Sequence, residues 1–433
     1  MLKDKEILRI SIPAIATNIT VPLLSLVDIA FAGRFGTNGL AAVSVGGAII
    51  NLLYWNFGFL RMSTSGLTAQ AFGAKDDSET VNLLLRSLFV SVAAAALIIL
   101  FKDGILKLAL LFMKIDSGCE NYILTYTGIC IVGAPAVMCM YSIKGWFIGM
   151  QNTLFPMIIA ISVNIINIVC SYVFVFHLQF GIKGIAMGTI ISQYFGIILA
   201  IILWRKRYAK YLLFIDRHKI LDKSRLKRFF SLNILIAIRT FCLTTVTTFF
   251  TLAGAKIGPM QVAVNSILLQ FFSIFSYFTD GFAYAGEALA GKHIGARDRQ
   301  SLDLSVRRIF VWGISLTITF TILFYFASDV FVSLMTTDTE IISELQFYRL
   351  WIYAIPVCGF AAFLWDGIMI GTTMARGMVY SIIIATIAFF TIYFLCIGTM
   401  GNNGLWLAFI IYLALRGIVQ TIYYRKQIDN FFV

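Results

Sequence analysis

The chain has 433 residues, of which 60% are hydrophobic and 13% charged, and it carries a formal net charge of +13. Soluble domains run at about 45–50% apolar and about 25% charged, so a water-soluble globular protein is excluded. Twelve bilayer crossings at about 20 residues each would leave no length for a large extramembrane domain. The basic excess does not point to nucleic acid, because the lysines and arginines lie between apolar stretches instead of forming a solvated patch.

Taken in chain order, runs of about 18 or more apolar residues predict twelve spans, near residues 7–33, 40–66, 83–101, 121–145, 155–177, 184–204, 231–255, 261–288, 306–326, 345–369, 378–398 and 403–424. Span 1 does not read as a cleavable leader: it holds Pro13, Pro22 and Asp28, and no small-residue cleavage site follows. With the N-terminus inside, 24 of the 34 basic residues fall in cytoplasmic segments, ten of them between Arg205 and Arg228. That bias predicts cytoplasmic termini, and residues 205–230 read as a basic linker lying on the lipid surface. The three histidines sit at span ends or in the linker, and the seven cysteines show no CxxC or paired spacing, so no metal site, disulfide framework or cofactor is expected.

Comparing the chain with itself reveals an internal repeat. GAKD at 73–76 recurs as GARD at 295–298, an offset of 222. At the same offset Gly36, Ala41, Gly145 and the pair Ile148–Gly149 match Gly258, Ala263, Gly367 and Ile370–Gly371, and GIKG at 181–184 recurs as GNNG at 401–404 with the offset slipped to 220. Each repeat has an even number of spans, so both share one orientation. The expected fold is an all-α integral membrane protein of twelve transmembrane helices in two parallel six-helix repeats: residues 1–204 form an N-lobe, 205–230 the linker and 231–433 a C-lobe. Such lobes rock about a central site and open it to each face in turn, which favours a transporter whose single chain is complete as a monomer. GEALAGKH at 286–293 is not a phosphate loop, since His293 stands where a hydroxyl must bind magnesium and the string closes a membrane span. Neither a nucleotide-binding domain nor a paired nucleophile and base is visible, so an ion gradient, not catalysis, is the expected energy source.

An acid inside a span costs roughly 2.5–3.5 kcal/mol and marks a functional candidate. Asp28 lies about 8 Å of helix rise from the outer end of span 1, where desolvation disfavours its charged form and lets it gain and lose a proton. Pro13 and Pro22 each delete a backbone hydrogen bond and favour a bend in the same span. Asp280, Glu287 and Asp366 are the membrane-level acids of the second repeat. They either face a cleft and attract cations, or pair with Arg61, Arg239 or Arg416 as buried ties. Lys144, repeat-related to Asp366, reads as a cleft counter-ion or a snorkelling lysine, and Arg61 as a gate tie.

The strings VDIAFAGRFGTNGLAA (27–42), FLRMSTSGLTAQAFGAKD (59–76), DGFAYAGEALAGKHIGARD (280–298), WDGIMIGTTMARGM (365–378) and GLWLAFIIYLALRG (404–417) extend over nearly the whole chain. In order and placement they resemble the multidrug and toxic compound extrusion (MATE) family, in particular its branch of the DNA-damage-inducible protein F. The resemblance implies two lobes around a V-shaped cleft and export of amphipathic, often cationic, organic compounds in exchange for protons or sodium ions. It associates Pro13 with bending of helix 1, and it adds Asn167 and Thr189 to Asp28 as a proton or cation site. Ser171 stands where many relatives carry a second aspartate, a departure that weakens sodium coupling and leaves protons in the lead. The expected protein is therefore a proton-coupled multidrug antiporter of the inner (plasma) membrane, its partners small molecules and the lipid bilayer. The alternatives are a lipid or glycan-precursor flippase of the same superfamily, which would want more basic residues in its cleft, and a non-transporting receptor or scaffold, which would have no use for Asp28.

Overall fold

The computed structural model describes residues 2–113, 119–220 and 222–432; residue 221 of the expected linker lies outside them. The described residues form helices and short connections, with no strand among them. In chain order the helices are α1 (Leu2–Ala32), α2 (Gly36–Trp55), α3 (Phe59–Gly73), α4 (Asp77–Leu100), α5 (Lys102–Met113), α6 (Glu120–Cys130), α7 (Ala134–Gly149), α8 (Leu154–Tyr172), α9 (Ile182–Tyr208), α10 (Arg217–Ile220), α11 (Lys223–Ile257), α12 (Pro259–Gly295), α13 (Arg299–Met335), α14 (Thr339–Leu345), α15 (Arg349–Gly371), α16 (Ala375–Met400) and α17 (Asn402–Gln427). Among the described residues eleven helical stretches are long and apolar enough to cross a membrane. The first, Lys3–Gly73, has 71 residues and would measure about 107 Å as one rod. It is broken at Gly33–Gly36, where Gly36 has a φ of +69°, and supplies two crossings, α1 and α2–α3, which brings the total to the twelve expected. Large apolar side chains that would be unfavourable in water, such as Phe326 and Leu334 at 79% exposure, are at home against lipid chains.

The repeat is written into the backbone. Lys75 and Arg297 both take left-handed φ values, +57° and +55°, just before Asp76 and Asp298. Each of these aspartates accepts a 2.9 Å bond from the backbone N–H three residues on and so caps α4 or α13. Glycines then set the helix spacing. A Cβ on Gly145 or Gly149 would lie 2.3 Å from Arg61 O or 2.7 Å from Ser65 O, and one on Gly367 or Gly371 would lie 2.1 Å from Ala283 O or 2.3 Å from Glu287 O. All four pairings agree at the offset of 222, so the same two close approaches are made twice.

The chain divides into two compact units, Ala16–Phe230 on one hand and Met1–Ile15 with Ser231–Val433 on the other. This differs from the lobe boundary expected at the N-terminus. Ile15 and Ser11 of α1 press against Gly281 of α12, where a Cβ would meet Ile15 Cγ1 at 2.3 Å and Ser11 O at 3.0 Å. Farther up, Lys3 Nζ lies 3.2 Å from His293 Nε2, and Asp4 accepts from Trp312 Nε1 at 3.2 Å. The residues of the expected linker, up to 230, belong to the Ala16–Phe230 unit.

Within the Ala16–Phe230 unit, a chain of buried hydroxyls joins α3, α4 and α7: Thr64 to Ser87 at 2.6 Å, Ser87 to Ser142, and Ser142 to Ser91 at 2.7 Å. Each hydroxyl can donate and accept, so the chain satisfies polar groups at membrane depth without a charge. Trp146 packs edge-on against Tyr208 and Tyr211, with centroids 4.8 and 6.0 Å away. The other unit has a phenylalanine-rich core. There Asn265 and Asn402 exchange two amide bonds of 2.8 and 2.9 Å, and Trp406 Nε1 adds a third of 2.7 Å to Asn265 Oδ1, tying α12 to α17.

Candidate functional site

Asp28 sits on α1 inside the Ala16–Phe230 unit and is 6% exposed. Thr189 of α9 turns its hydroxyl toward Asp28 Oδ2 at 3.4 Å, with Ile185 O as a second acceptor at 3.1 Å. Asn167 of α8 donates its amide to Thr189 Oγ1 at 3.1 Å. The fold thus gathers Asp28, Asn167 and Thr189 from three helices distant in sequence. Ser171 lies one turn beyond Asn167, fully buried and pressed against Gly188, where a Cβ would fall 2.2 Å from its Oγ. Tyr126 and Cys130 of α6 lie close enough to feel the charge of Asp28. Sequence reasoning missed both, because an aromatic and a thiol on an apolar helix resemble ordinary packing residues.

Three buried oxygens of this cluster have no hydrogen-bond partner: Asp28 Oδ1, Asn167 Oδ1 and Ser171 Oγ. Buried polar atoms are nearly always paired, and an orphan costs about 1–3 kcal/mol. No ion pair with Asp28 occurs among the described residues. The cluster is therefore rich in acceptors and short of donors, and it can take up a proton on the carboxyl or a small hard cation. It offers a cation one carboxylate and a few neutral oxygens.

The membrane acids of the other unit behave differently. Asp366 on α15, 7% exposed, receives both Arg239 of α11 and Arg416 of α17 on its Oδ2, the latter at 2.6 Å. Gln420 Nε2 donates to Oδ1 at 2.6 Å, and Arg416 also lies over the Tyr412 ring at 5.5 Å. Of the two roles open to Asp366, the structure takes the buried tie: its oxygens are committed to donors from two other helices. Gln420 was overlooked, though it lies four residues after Arg416 on the same helical face. Glu287 is 1% exposed on α12, where Gly371 of α15 rests on its carbonyl oxygen. Asp280 is half-buried on the same helix and attracts Arg416.

Lys144 of α7 and Arg61 of α3 are neighbours in the Ala16–Phe230 unit and repel one another. Both are half-buried. Pro13 and Pro22 lie within α1, which stays α-helical through both; Pro13 is two residues before the position where α1 passes from one unit to the other.

The MatE family model matches this chain twice, over residues 13–173 and 236–395, which restates the internal repeat. The DNA damage-inducible protein F of Escherichia coli K12 is 33% identical over 429 residues, covering 99% of this chain and 93% of the relative. A crystal structure of a MATE protein in the bent conformation superposes with a TM-score of 0.86 at 18% identity, covering 99% of this chain and 96% of the other. A variant of the Vibrio cholerae MATE transporter VcmN gives 0.88 at 17% identity, with 99% and 97% covered. With a duplicated six-helix frame, a family match in each repeat and a relative aligned from end to end, the chain belongs to the MatE family of multidrug and toxin efflux transporters.

Proposed function

We propose that the protein is a secondary antiporter that exports amphipathic or cationic organic compounds in exchange for protons by alternating access. The observation that carries this reading is the contrast between its two deeply buried aspartates. Asp366 is held by two guanidiniums and an amide, whereas Asp28 faces a hydroxyl on one oxygen and nothing on the other. A proton on Asp28 turns an acceptor into a donor, which can then bond to Asn167 Oδ1 or Ser171 Oγ. One proton thereby relieves two orphaned atoms and removes a buried charge. Loss of that proton reverses both effects, so the two protonation states favour different arrangements of α1 against α8 and α9, and the ion gradient can drive a conformational cycle.

Sodium coupling is the second reading. It is favoured by the same orphaned oxygens and disfavoured by the single carboxylate, since Ser171 supplies a neutral ligand. In either case the chain reads as a transporter instead of an enzyme, working as a monomer in the inner (plasma) membrane with both termini in the cytoplasm, the orientation favoured by its basic segments.

The experiment is transport of ethidium, an amphipathic cation, in proteoliposomes under an imposed pH or sodium gradient, with wild type beside Asp28→Asn. Movement driven by the pH gradient and lost in the variant is expected. Sodium-driven movement would transfer the role to the second reading, and pH-driven movement that survives in the variant would remove Asp28 from the mechanism.

A further inference from the structure

Arg86 is charged, 1% exposed and plays no part in the coupling scheme. It sits on α4, seven residues after Glu79, and every arm of its guanidinium is engaged. Nη2 donates to Lys219 O at 2.9 Å, Nε to Ile220 O at 3.3 Å and Nη1 to Glu79 Oε1 at 3.2 Å. The two carbonyls end α10, where helical partners run out, and a cation suits the negative end of a helix. Around this centre Glu79 pairs through its other oxygen with Arg225 at the start of α11. Asn82 Oδ1 accepts from Asp216 N at 3.3 Å, Ser78 Oγ from Lys219 Nζ at 3.2 Å, and Gln70 Oε1 from Arg228 at 2.7 Å. The lead-in to α11 is thus bonded along α3 and α4, all within the Ala16–Phe230 unit.

Arg308 of α13 is the repeat-related residue, again at the offset of 222. It too meets the start of a repeat's first helix: its guanidinium lies 4.0 Å from Asp4, which Trp312 also holds. Each repeat therefore lends the first turns of its leading helix to the unit built mainly from the other repeat. α1 changes unit between Ile15 and Ala16, and α11 between Phe230 and Ser231, both inside continuous helix. The clasps are unequal. The Arg86 side chain is 2% exposed and has three acceptors, while that of Arg308 is 44% exposed with its acid at 4.0 Å, and exposed pairs of that kind contribute little.

We propose that Arg86 is a positioning residue for transport: with Glu79 and Asn82 it keeps the lead-in of α11 docked on α4 through the whole cycle, so that α11 moves as a rod. The weaker clasp at Asp4 is the one that lets go. This rests on the alternating-access reading, and its test is chosen to be read without transport.

Full-length protein in nanodiscs is treated with trypsin; cleavage at Lys219 and Arg225, whose side chains are held by Ser78 and Glu79, needs the segment to leave its dock, so cleavage there tracks the open population. Arg86→Ala is expected to be cut there at least about tenfold faster. In proteoliposomes its maximal ethidium rate should fall at least about fivefold, with the half-saturating concentration unchanged because binding is not altered. Arg86→Lys keeps the charge without the fork and should fall between, and Arg308→Ala should change transport less than about twofold. Should Arg86→Ala fail to accumulate, Asn82→Ala, which removes the acceptor of Asp216 N without touching a cleavage site, should raise cleavage and lower the rate together. Unchanged cleavage in these variants overturns the docking, and faster cleavage at an unchanged rate overturns its role in transport. A larger loss from Arg308→Ala than from Arg86→Ala reverses the order of the two clasps. Because cleavage needs neither substrate nor gradient, the dock is scored even if the proton reading fails.

Discussion

Lys144 and Asp366 occupy one position in the two repeats and carry opposite charge. Each precedes a glycine, Gly145 or Gly367, that rests on a facing carbonyl, Arg61 O or Ala283 O. The backbone frame is duplicated while the electrostatics are not: Lys144 lies against another cation, and Asp366 is held between two. Asp28 in turn has as its counterpart at offset 222 the buried, apolar Phe250. One repeat has the acceptor-rich cluster around Asp28 and the other a carboxylate held between two guanidiniums, so the proposed coupling site falls on one side of a duplicated scaffold.

Asp366→Asn leaves two buried guanidiniums without their carboxylate. Breaking a buried ion pair on one side costs about 3–5 kcal/mol, which lowers Tm by roughly 10 °C in a unit of this size. Thermal unfolding in detergent checks this. Replacing all three partners with apolar residues, Asp366→Leu with Arg239→Met and Arg416→Met, should restore most of the loss, because the uncompensated charges are gone. A triple variant no more stable than Asp366→Asn would sink the account of this cluster as a tie.

Asp28→Asn should behave in the opposite way. Exchanging a carboxylate with an orphaned oxygen for an amide that can donate to Asn167 Oδ1 or Ser171 Oγ leaves Tm unchanged, or raises stability by about 1 kcal/mol, while gradient-driven transport disappears. A clear fall in Tm would show that Asp28 is a structural partner after all.

Ser171→Ala removes a buried hydroxyl that has no partner. Stability is expected to stay level or rise by up to about 1 kcal/mol, and pH-driven ethidium transport should continue, because the carboxyl retains Asn167 as an acceptor. Direct flux measurement in proteoliposomes decides: abolished transport in this variant would mean that the serine oxygen is a required ligand, as a sodium site demands.

Gly367→Ala places a methyl 2.1 Å from Ala283 O, a backbone atom that cannot swing aside. The helices α12 and α15 must separate, at a cost typical of overpacking, about 1–3 kcal/mol or more. Gly145→Ala should cost a similar amount at Arg61 O. Gly33→Ala, with nothing within 4 Å of its Cβ, serves as the control, and Tm values for the three variants give the comparison.

The spans and the repeat were legible in the sequence because lipid imposes a length and an apolar character on each helix, and a duplicated frame keeps its glycines and capping aspartates at a fixed spacing. The burial of Asp28 was legible for the same reason, as an acid inside an apolar span. What was not legible depends on which helix faces which. Arg239 and Arg416 are among three candidate partners for the second-repeat acids, but that both converge on Asp366 with Gln420, from 127, 50 and 54 residues away along the chain, is announced by no local pattern. Likewise the ten basic residues between Arg205 and Arg228 read as a membrane-surface charge. Three of them, Lys219, Arg225 and Arg228, meet Ser78 and Glu79 of α4 and Gln70 of α3. The clustering gave the sign of the segment but not its partners.

The passage of α1 from one unit to the other also bears on biogenesis. Residues 16–230 form an unbroken stretch, so that unit can close its contacts as soon as its last helix has left the ribosome, in keeping with the tendency of domains to form in order of synthesis. The other unit has no such independence: residues up to Ile15 are made before the Ala16–Phe230 unit, and the helices they pack on, α12 and α13, are made after it. During translation the start of α1 must therefore wait for its partners, Lys3 for His293 and Asp4 for Trp312. A segment made ahead of one unit thus finds its place only after that unit is complete.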